Sequence, residues 1–214
     1  MLVPVPTPIY RITHIDNLPI LLCRGGLHAP NNPPNDGLPY KTIHNESIQC
    51  ERRIRPIHCG PGGVIHDYVS FYLGPRSPML YQLHTGRVAD YHEGQEPIIY
   101  LVSTVKRIRE SGVQFVFSDG HGIARMTDWF DDLNDMSKVD WDTVNAKYWK
   151  DKIDDMDRQR RKQAEFLVYR FFDWNLICEI GVINNMRKKE VELIMSGFDD
   201  IFQRNVYIRP EWYY

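Results

Sequence analysis

The chain has only four cysteines in 214 residues (Cys23, Cys50, Cys59 and Cys178), and no two of them form a C-x-x-C pair. Such scattered thiols give neither a disulfide framework nor a zinc ribbon, and a reducing cytoplasm is the expected setting. Cys50, His58, Cys59 and His66 come nearest to a ligand set. Adjacent His58 and Cys59 match no usual zinc spacing, so no metal is expected. Long apolar runs are missing too: no window approaches the ~18 uninterrupted apolar residues of a spanning helix. The opening stretch MLVPVPTPIY lacks the basic start and apolar core of a secretory signal, so no membrane partner is expected. Nor does charge of one sign dominate, since 26 Lys and Arg against 28 Asp and Glu leave a net charge of -2. Contact with nucleic acid would therefore need a local patch. The commonest chemical fingerprints are also missing. No G-x-G-x-x-G follows a strand, and there is neither a Walker loop nor a G-x-S-x-G elbow, so Rossmann, P-loop and serine-hydrolase chemistry find no support.

What is present suits one globular domain over residues 1–214, with 43% hydrophobic and 25% charged residues. The stretches 9–14, 66–74, 96–105 and 113–120 read as strands, and the apolar 96–105 run as a central one. Residues 15–26 read as a helix with Asp16 or Asn17 as N-cap, Pro19 in its first turn and Gly25 at its end. Further helices are expected between Ser103 and Gly112, over 139–149 behind Asp140, and over 183–197, where Val191, Ile194 and Met195 share one side. The chain closes as a strand and an aromatic tail. This mixed order argues for an α+β fold with a largely antiparallel sheet.

Two regions resist assignment. Residues 28–63 are rich in Pro, Asn and Gly and read as irregular, the profile of a lid or ligand-binding loop or of disorder. Residues 164–172 fit two periods. Ala164, Leu167, Val168 and Phe171 fall at helical spacing, whereas Glu165, Leu167 and Tyr169 alternate, and periodicity alone mildly favours helix.

Few residues stand out chemically. His121 lies on a glycine-flanked turn, SDGHG, suited to acid–base work or to contact with a base, and equally to a plain turn. Arg52, Arg53 and Arg55 lie in the irregular region, where guanidinium forks suit pyrophosphate or a surface ion-pair cluster. An acidic stretch (Asp128 to Asp142) precedes a basic one (Lys147 to Lys162), each readable as a solvated face.

Taken together, TPIYRITHIDNLPILL, IQCERR, GGVIHDYVSFYLGPRSPMLYQLHTG, FVFSDGH, RRKQAEFLV, EIGV and RPEWYY resemble the DarT-type DNA ADP-ribosyltransferase toxins, in order from about residue 7 onward. The resemblance implies the ADP-ribosyltransferase fold, two small and mainly antiparallel sheets around a cleft for NAD, with peripheral helices. It implies transfer of ADP-ribose from NAD to thymidine bases in single-stranded DNA, with a macrodomain antitoxin (DarG-type) as partner. By position, Glu165 is the catalytic glutamate at a strand start and Arg52 the second catalytic residue, which also serves in NAD binding. Arg11, Ile12 and Thr13 would hold the nicotinamide end of NAD, Arg11 standing where some members have His. Ile20 and His28 would make further NAD contacts. Residues 33–54 would form the NAD-binding loop, and 121–165 the loop that presents the acceptor.

A fixed carboxylate on the ribose would stabilise the oxocarbenium charge that develops as nicotinamide leaves. Arg52, as a permanent cation, is better suited to gripping phosphate or an anionic base than to taking a proton. His121, Tyr148, Trp149, Arg158, Arg160 and Arg161 would form a DNA contact surface, phosphate anchors beside a stacking platform. RNA, protein or water as acceptor, or an idle binding module, are the alternatives.

Overall fold

The structure, a computed structural model, describes residues 2–214; Met1, where the expected domain begins, lies outside them. The sheet grows around β1 (Pro8–His14) and β4 (Ile98–Thr104), which pair antiparallel along their full lengths. Outside β4 lie β9 (Glu179–Val182) and then β10 (Asn205–Ile208), the latter joined in parallel. On the other side β1 meets β3 (Tyr68–Tyr72), followed by β7 (Glu165–Tyr169), β5 (Phe115–Ser118) and the short β6 (Trp129–Phe130). These eight strands make one sheet, antiparallel except for β9–β10. The second sheet is small, a pair formed by β2 (Gly26–His28) and β8 (Phe171–Asp173). The fold is thus α+β with two very unequal sheets.

Period-two alternation puts β4 into two cores at once. Ile99 and Leu101 join a cluster with Ile9, Leu18, Phe166 and Trp174, whereas Ile98, Tyr100 and Val102 join Tyr10, Ile12, Leu80 and Tyr213. That double burial accounts for the uninterrupted apolar run.

Residues 164–172 are strands, not helix. The muddled periodicity has a local cause: Arg170 adopts φ 61°, in the left-handed region, and redirects the chain from β7 in the large sheet to β8 in the small one. The receiving strand needs glycine. A Cβ on Gly26 (φ 155°) would lie 2.2 Å from the Phe172 carbonyl.

The helices are α1 (Leu18–Cys23), α2 (Glu46–Ile54), α3 (Pro78–His84), α4 (Val105–Ser111), α5 (Trp141–Asn145), α6 (Arg158–Arg161) and α7 (Asn185–Ser196). Asn17 stands at the N-cap position of α1 with Pro19 in the first turn, as expected, but its side chain makes no capping bond. His14 Nδ1 accepts from the Asp16 N–H at 3.0 Å, and the Asn17 amide instead clamps the Lys41 backbone, accepting from its N–H at 2.7 Å and donating to its carbonyl at 3.0 Å. The stretch expected to be irregular contains α2, capped by Asn45, whose buried residue is Arg52 rather than an apolar side chain. α3, capped by Ser77 and burying Leu80 and Leu83, was not foreseen. Gly112 (φ 71°) ends α4 as expected, and Asp140 caps an α5 shorter than expected.

Candidate active site

Glu165 is the first residue of β7, paired in register with Tyr72 of β3, and is only 3% exposed. A buried carboxylate must have its charge met, and here it is met from two elements. From α2, Arg52 donates through Nη1 to Glu165 Oε1 at 2.9 Å and through Nη2 to Oε2 at 2.7 Å, a two-pronged pair. From the turn after β5, the Gly122 N–H donates to Oε1 at 3.0 Å. Arg52 Nη2 also donates to Ser70 Oγ of β3 at 2.7 Å. The Glu165 N–H in turn donates to Ser118 Oγ at 3.2 Å. Burial pushes the Glu165 carboxyl up, but the Arg52 charge and hydrogen bonds, with His121 and Gly122 helping, hold it below the usual carboxylate range. Burial likewise works against the Arg52 cation, and Glu165 outweighs it.

A cleft of about 930 Å³ opens in front of this pair. Arg11, Ile12, Thr13, His28, Arg52, His121 and Glu165 all line it. Of the expected NAD contacts, only Ile20 does not. α1 points Leu21 toward the cleft and leaves Ile20 half-buried elsewhere. Arg52 sits on a helix rather than on an irregular loop and is turned inward to Glu165. Arg11 lines the cleft with no carboxylate partner among the described residues, and so does Arg53. Arg11 Nη1 donates to the Ser70 carbonyl at 3.0 Å, and its buried Nε has no partner. His121 lies near Glu165, and burial lowers its pKa, which keeps the ring neutral at pH 7.

The loop over 29–45, held by the Asn17 clamp, forms one wall with Tyr40, Thr42 and His44. Gln159 and Gln163 form another part of the wall. The sequence reading missed these glutamines, Ser70 and the Gly122 N–H. A backbone donor leaves no side-chain signal, although its neighbour His121 had stood out.

The expected DNA surface is only partly assembled. Tyr148 is 78% exposed, but Trp149 is buried, with Nε1 donating to Tyr214 Oη at 2.7 Å and Tyr81 edge-on against it. Trp149 therefore offers no stacking face. The arginines are engaged as well. Arg160 bonds Asp157 in two-pronged fashion (2.7 and 2.7 Å) and Asp119 at 2.9 Å. Arg161 is paired with Asp140 and Asp155. Arg158 donates to the Tyr148 carbonyl at 3.0 Å. The arginines are thus held by aspartates, of which only Asp140 comes from the acidic stretch, and do not present a free basic face.

Known proteins give this geometry its context. Residues 10–214 match the family model described as ssDNA thymidine ADP-ribosyltransferase, DarT. A DNA ADP-ribosyl transferase of Thermus sp. (strain 2.9) is 43% identical over 211 residues, 99% of this chain and 98% of its own. The solved structure of Thermus sp. 2.9 DarT in complex with ADP-ribosylated ssDNA superposes with a TM-score of 0.93 at 42% identity, covering 100% of this chain and 99% of that one. The same protein in complex with NAD+ gives a TM-score of 0.88 at 40% identity, with 100% of both chains covered. A fusion of a DNA ADP-ribosyl transferase with a DNA ADP-ribosyl glycohydrolase, from Thermosipho africanus, is 26% identical over 207 residues, 95% of this chain and 48% of the fusion. The chain belongs to the DarT family of ssDNA thymidine ADP-ribosyltransferases.

Proposed function

We propose that this chain cleaves NAD and transfers its ADP-ribose to thymidine bases of single-stranded DNA, releasing nicotinamide, as the toxin of a toxin–antitoxin pair. The observation that carries the reading is the buried Glu165 carboxylate, held in one orientation by Arg52 and Gly122 at the floor of the cleft. Family membership and the NAD-bound relative support it.

The cleft residues fit the substrate. The uncompensated Arg11 guanidinium suits an anionic diphosphate. The fixed carboxylate can accept hydrogen bonds from ribose hydroxyls, and these strengthen as positive charge develops on the sugar when the bond to nicotinamide breaks. The leaving nicotinamide keeps the bonding electron pair and departs neutral. A ring nitrogen of thymine then bonds the anomeric carbon, and its proton has to leave. Arg52, held as a cation by Glu165, stabilises negative charge on the base as it forms. The neutral His121 imidazole is the cleft group suited to accept the proton. A catalytically idle binding module would have no use for so costly a buried pair. The partner in this reading is a macrodomain antitoxin acting in the cytoplasm; the Thermosipho fusion, which joins a transferase to a glycohydrolase, supports it.

The test uses purified protein, NAD and short oligonucleotides, each lacking one base type, with mass spectrometry for added ADP-ribose. Modification is expected wherever thymine is present. Modification that survives loss of every thymine would sink the acceptor assignment.

A further inference from the structure

Lys162 is a buried cation that the chemistry above does not use. It is 2% exposed, and no carboxylate among the described residues contacts its ammonium. The nearby acids are taken: Arg161 holds Asp140 and Asp155, and Arg160 holds Asp157. Nζ donates instead to three backbone carbonyls, Pro75 at 3.1 Å, Val144 at 2.6 Å and Ala146 at 3.0 Å. Pro75 follows β3, and Val144 and Ala146 form the C-terminal end of α5, where carbonyls lack helical partners. An ammonium has three donors and finds three acceptors.

Burial, and then the charge of Arg76, push this group down to about 7. A cation so disfavoured is a poor choice for filling space, because an apolar side chain of the same length would pack without that cost. What an apolar side chain could not do is join the two segments. Their backbones meet closely here, and a Cβ on Gly74 would lie 2.5 Å from the Val144 carbonyl. The joint is also well placed. Lys162 stands three residues before Glu165, Gln163 beside it lines the cleft, and Ala146 is two residues from the exposed Tyr148.

We propose that Lys162 is a positioning residue for the acceptor strand, tying the end of α5 to the exit of β3 so that Tyr148 and the Gln159–Gln163 wall keep their places relative to Glu165. This rests on the transferase reading given above. Lys162 touches neither the cleft floor nor the 29–45 loop, so its effect belongs to the acceptor and not to NAD.

The experiment compares wild type with Lys162→Met in the full chain, measuring NAD affinity by calorimetry, transfer to a thymidine-containing oligonucleotide, and the thermal midpoint. The Met variant is expected to bind NAD within about twofold of wild type and to keep or raise its midpoint, while kcat/KM for the oligonucleotide falls on the order of 10- to 100-fold. Transfer within about twofold of wild type overturns the proposal, as does loss of NAD affinity in parallel with transfer. Should the Met variant fail to fold, Lys162→Arg decides on the same criterion, a loss confined to the oligonucleotide. If neither variant folds, Lys162 is a core residue and the proposal falls. A wild type that transfers nothing to any thymidine oligonucleotide would instead defeat the function from which the proposal starts.

Discussion

The two sides of the cleft are built by different means. On the Glu165 side the buried carboxylate starts a strand inside an eight-stranded sheet; its partners come from α2 and the turn after β5, and Ser70 of β3 holds Arg52 in turn. On the other side, residues 119–164 hold one two-residue strand, a 3-10 helix (Leu133–Lys138) and two short α-helices, and Tyr148, Ile153 and Met156 are exposed. In the proposed reaction, stabilising a developing charge requires a group that does not reorganise, which a residue on the sheet can supply. In the same proposal, recognising a flexible strand requires reach and adaptable surface, which a loop region can supply. The loop is not loose, however, because Arg160, Arg161 and Lys162 spend their charge holding it together.

The largest effects are expected on the rigid side. Glu165→Gln should cut transfer on the order of 10³-fold or more, because the oxocarbenium charge loses its counter-charge. NAD affinity should change far less, and single-turnover kinetics separates the two. An undiminished rate would show that the sheet side does not carry the chemistry.

Arg52 is expected to matter for the fold as well as the rate. Arg52→Ala leaves a buried carboxylate unpaired and should destabilise the protein by about 3–5 kcal/mol, read by denaturant unfolding. Arg52→Lys should rescue little, since a single tetrahedral ammonium cannot reproduce the planar two-pronged grip on Glu165. The pair also sets an acid limit. The Glu165 carboxyl is depressed in the fold, so its stabilisation is fully present above the ordinary carboxylate pKa and is lost as pH falls through the lower folded value. The acid-unfolding midpoint of wild type should lie below that of Arg52→Ala.

His121 lies where the two sides meet. If its neutral ring takes the thymine proton, His121→Asn should lower the rate by roughly 100-fold. With its pKa lowered by burial, the wild-type rate should fall only at a pH below the ordinary histidine value of about 6.5. A pH–rate profile that keeps the same acid limb in His121→Asn would exclude the ring as proton acceptor. On the acceptor side, Tyr148→Ala should weaken oligonucleotide binding by about 1–3 kcal/mol, the usual value of a base–aromatic stack, with the thermal midpoint unchanged. Trp149→Ala should do the reverse, costing stability through a lost core contact.

The same contrast explains what could be read from the sequence. Strands buried on one or both faces declare themselves by period, and β1, β3, β4 and β5 were legible for that reason. α2 was not, because the residue it buries is a charged arginine whose partner lies 113 positions away. Glu165 could be placed on a strand only through the family resemblance, since the reversal at Arg170 scrambles the local alternation. The acceptor side misled in another way. A run of arginines looks like a phosphate-binding face until the aspartates that meet it, as distant as Asp119 and Asp140, are brought alongside by the fold. Charge clusters in sequence carry no information about which of them cancel.

That cancellation gives the smallest effect and a direct test of it. Lys147, Lys150 and Lys152 are exposed around Tyr148, whereas Arg160 and Arg161 are held by aspartates. A side chain that meets a phosphate of single-stranded DNA releases about 0.7 of a counterion, and its removal flattens the plot of log affinity against log salt by that amount. Lys150→Ala should therefore lower the slope by about 0.7 and leave the thermal midpoint alone. Arg161→Ala should leave the slope almost unchanged and lower the midpoint, because it frees two aspartates instead of uncovering a phosphate. The opposite pattern, a flatter slope for Arg161→Ala and none for Lys150→Ala, would mean that the ion pairs open when DNA binds and that the acceptor side exchanges its internal partners for the strand.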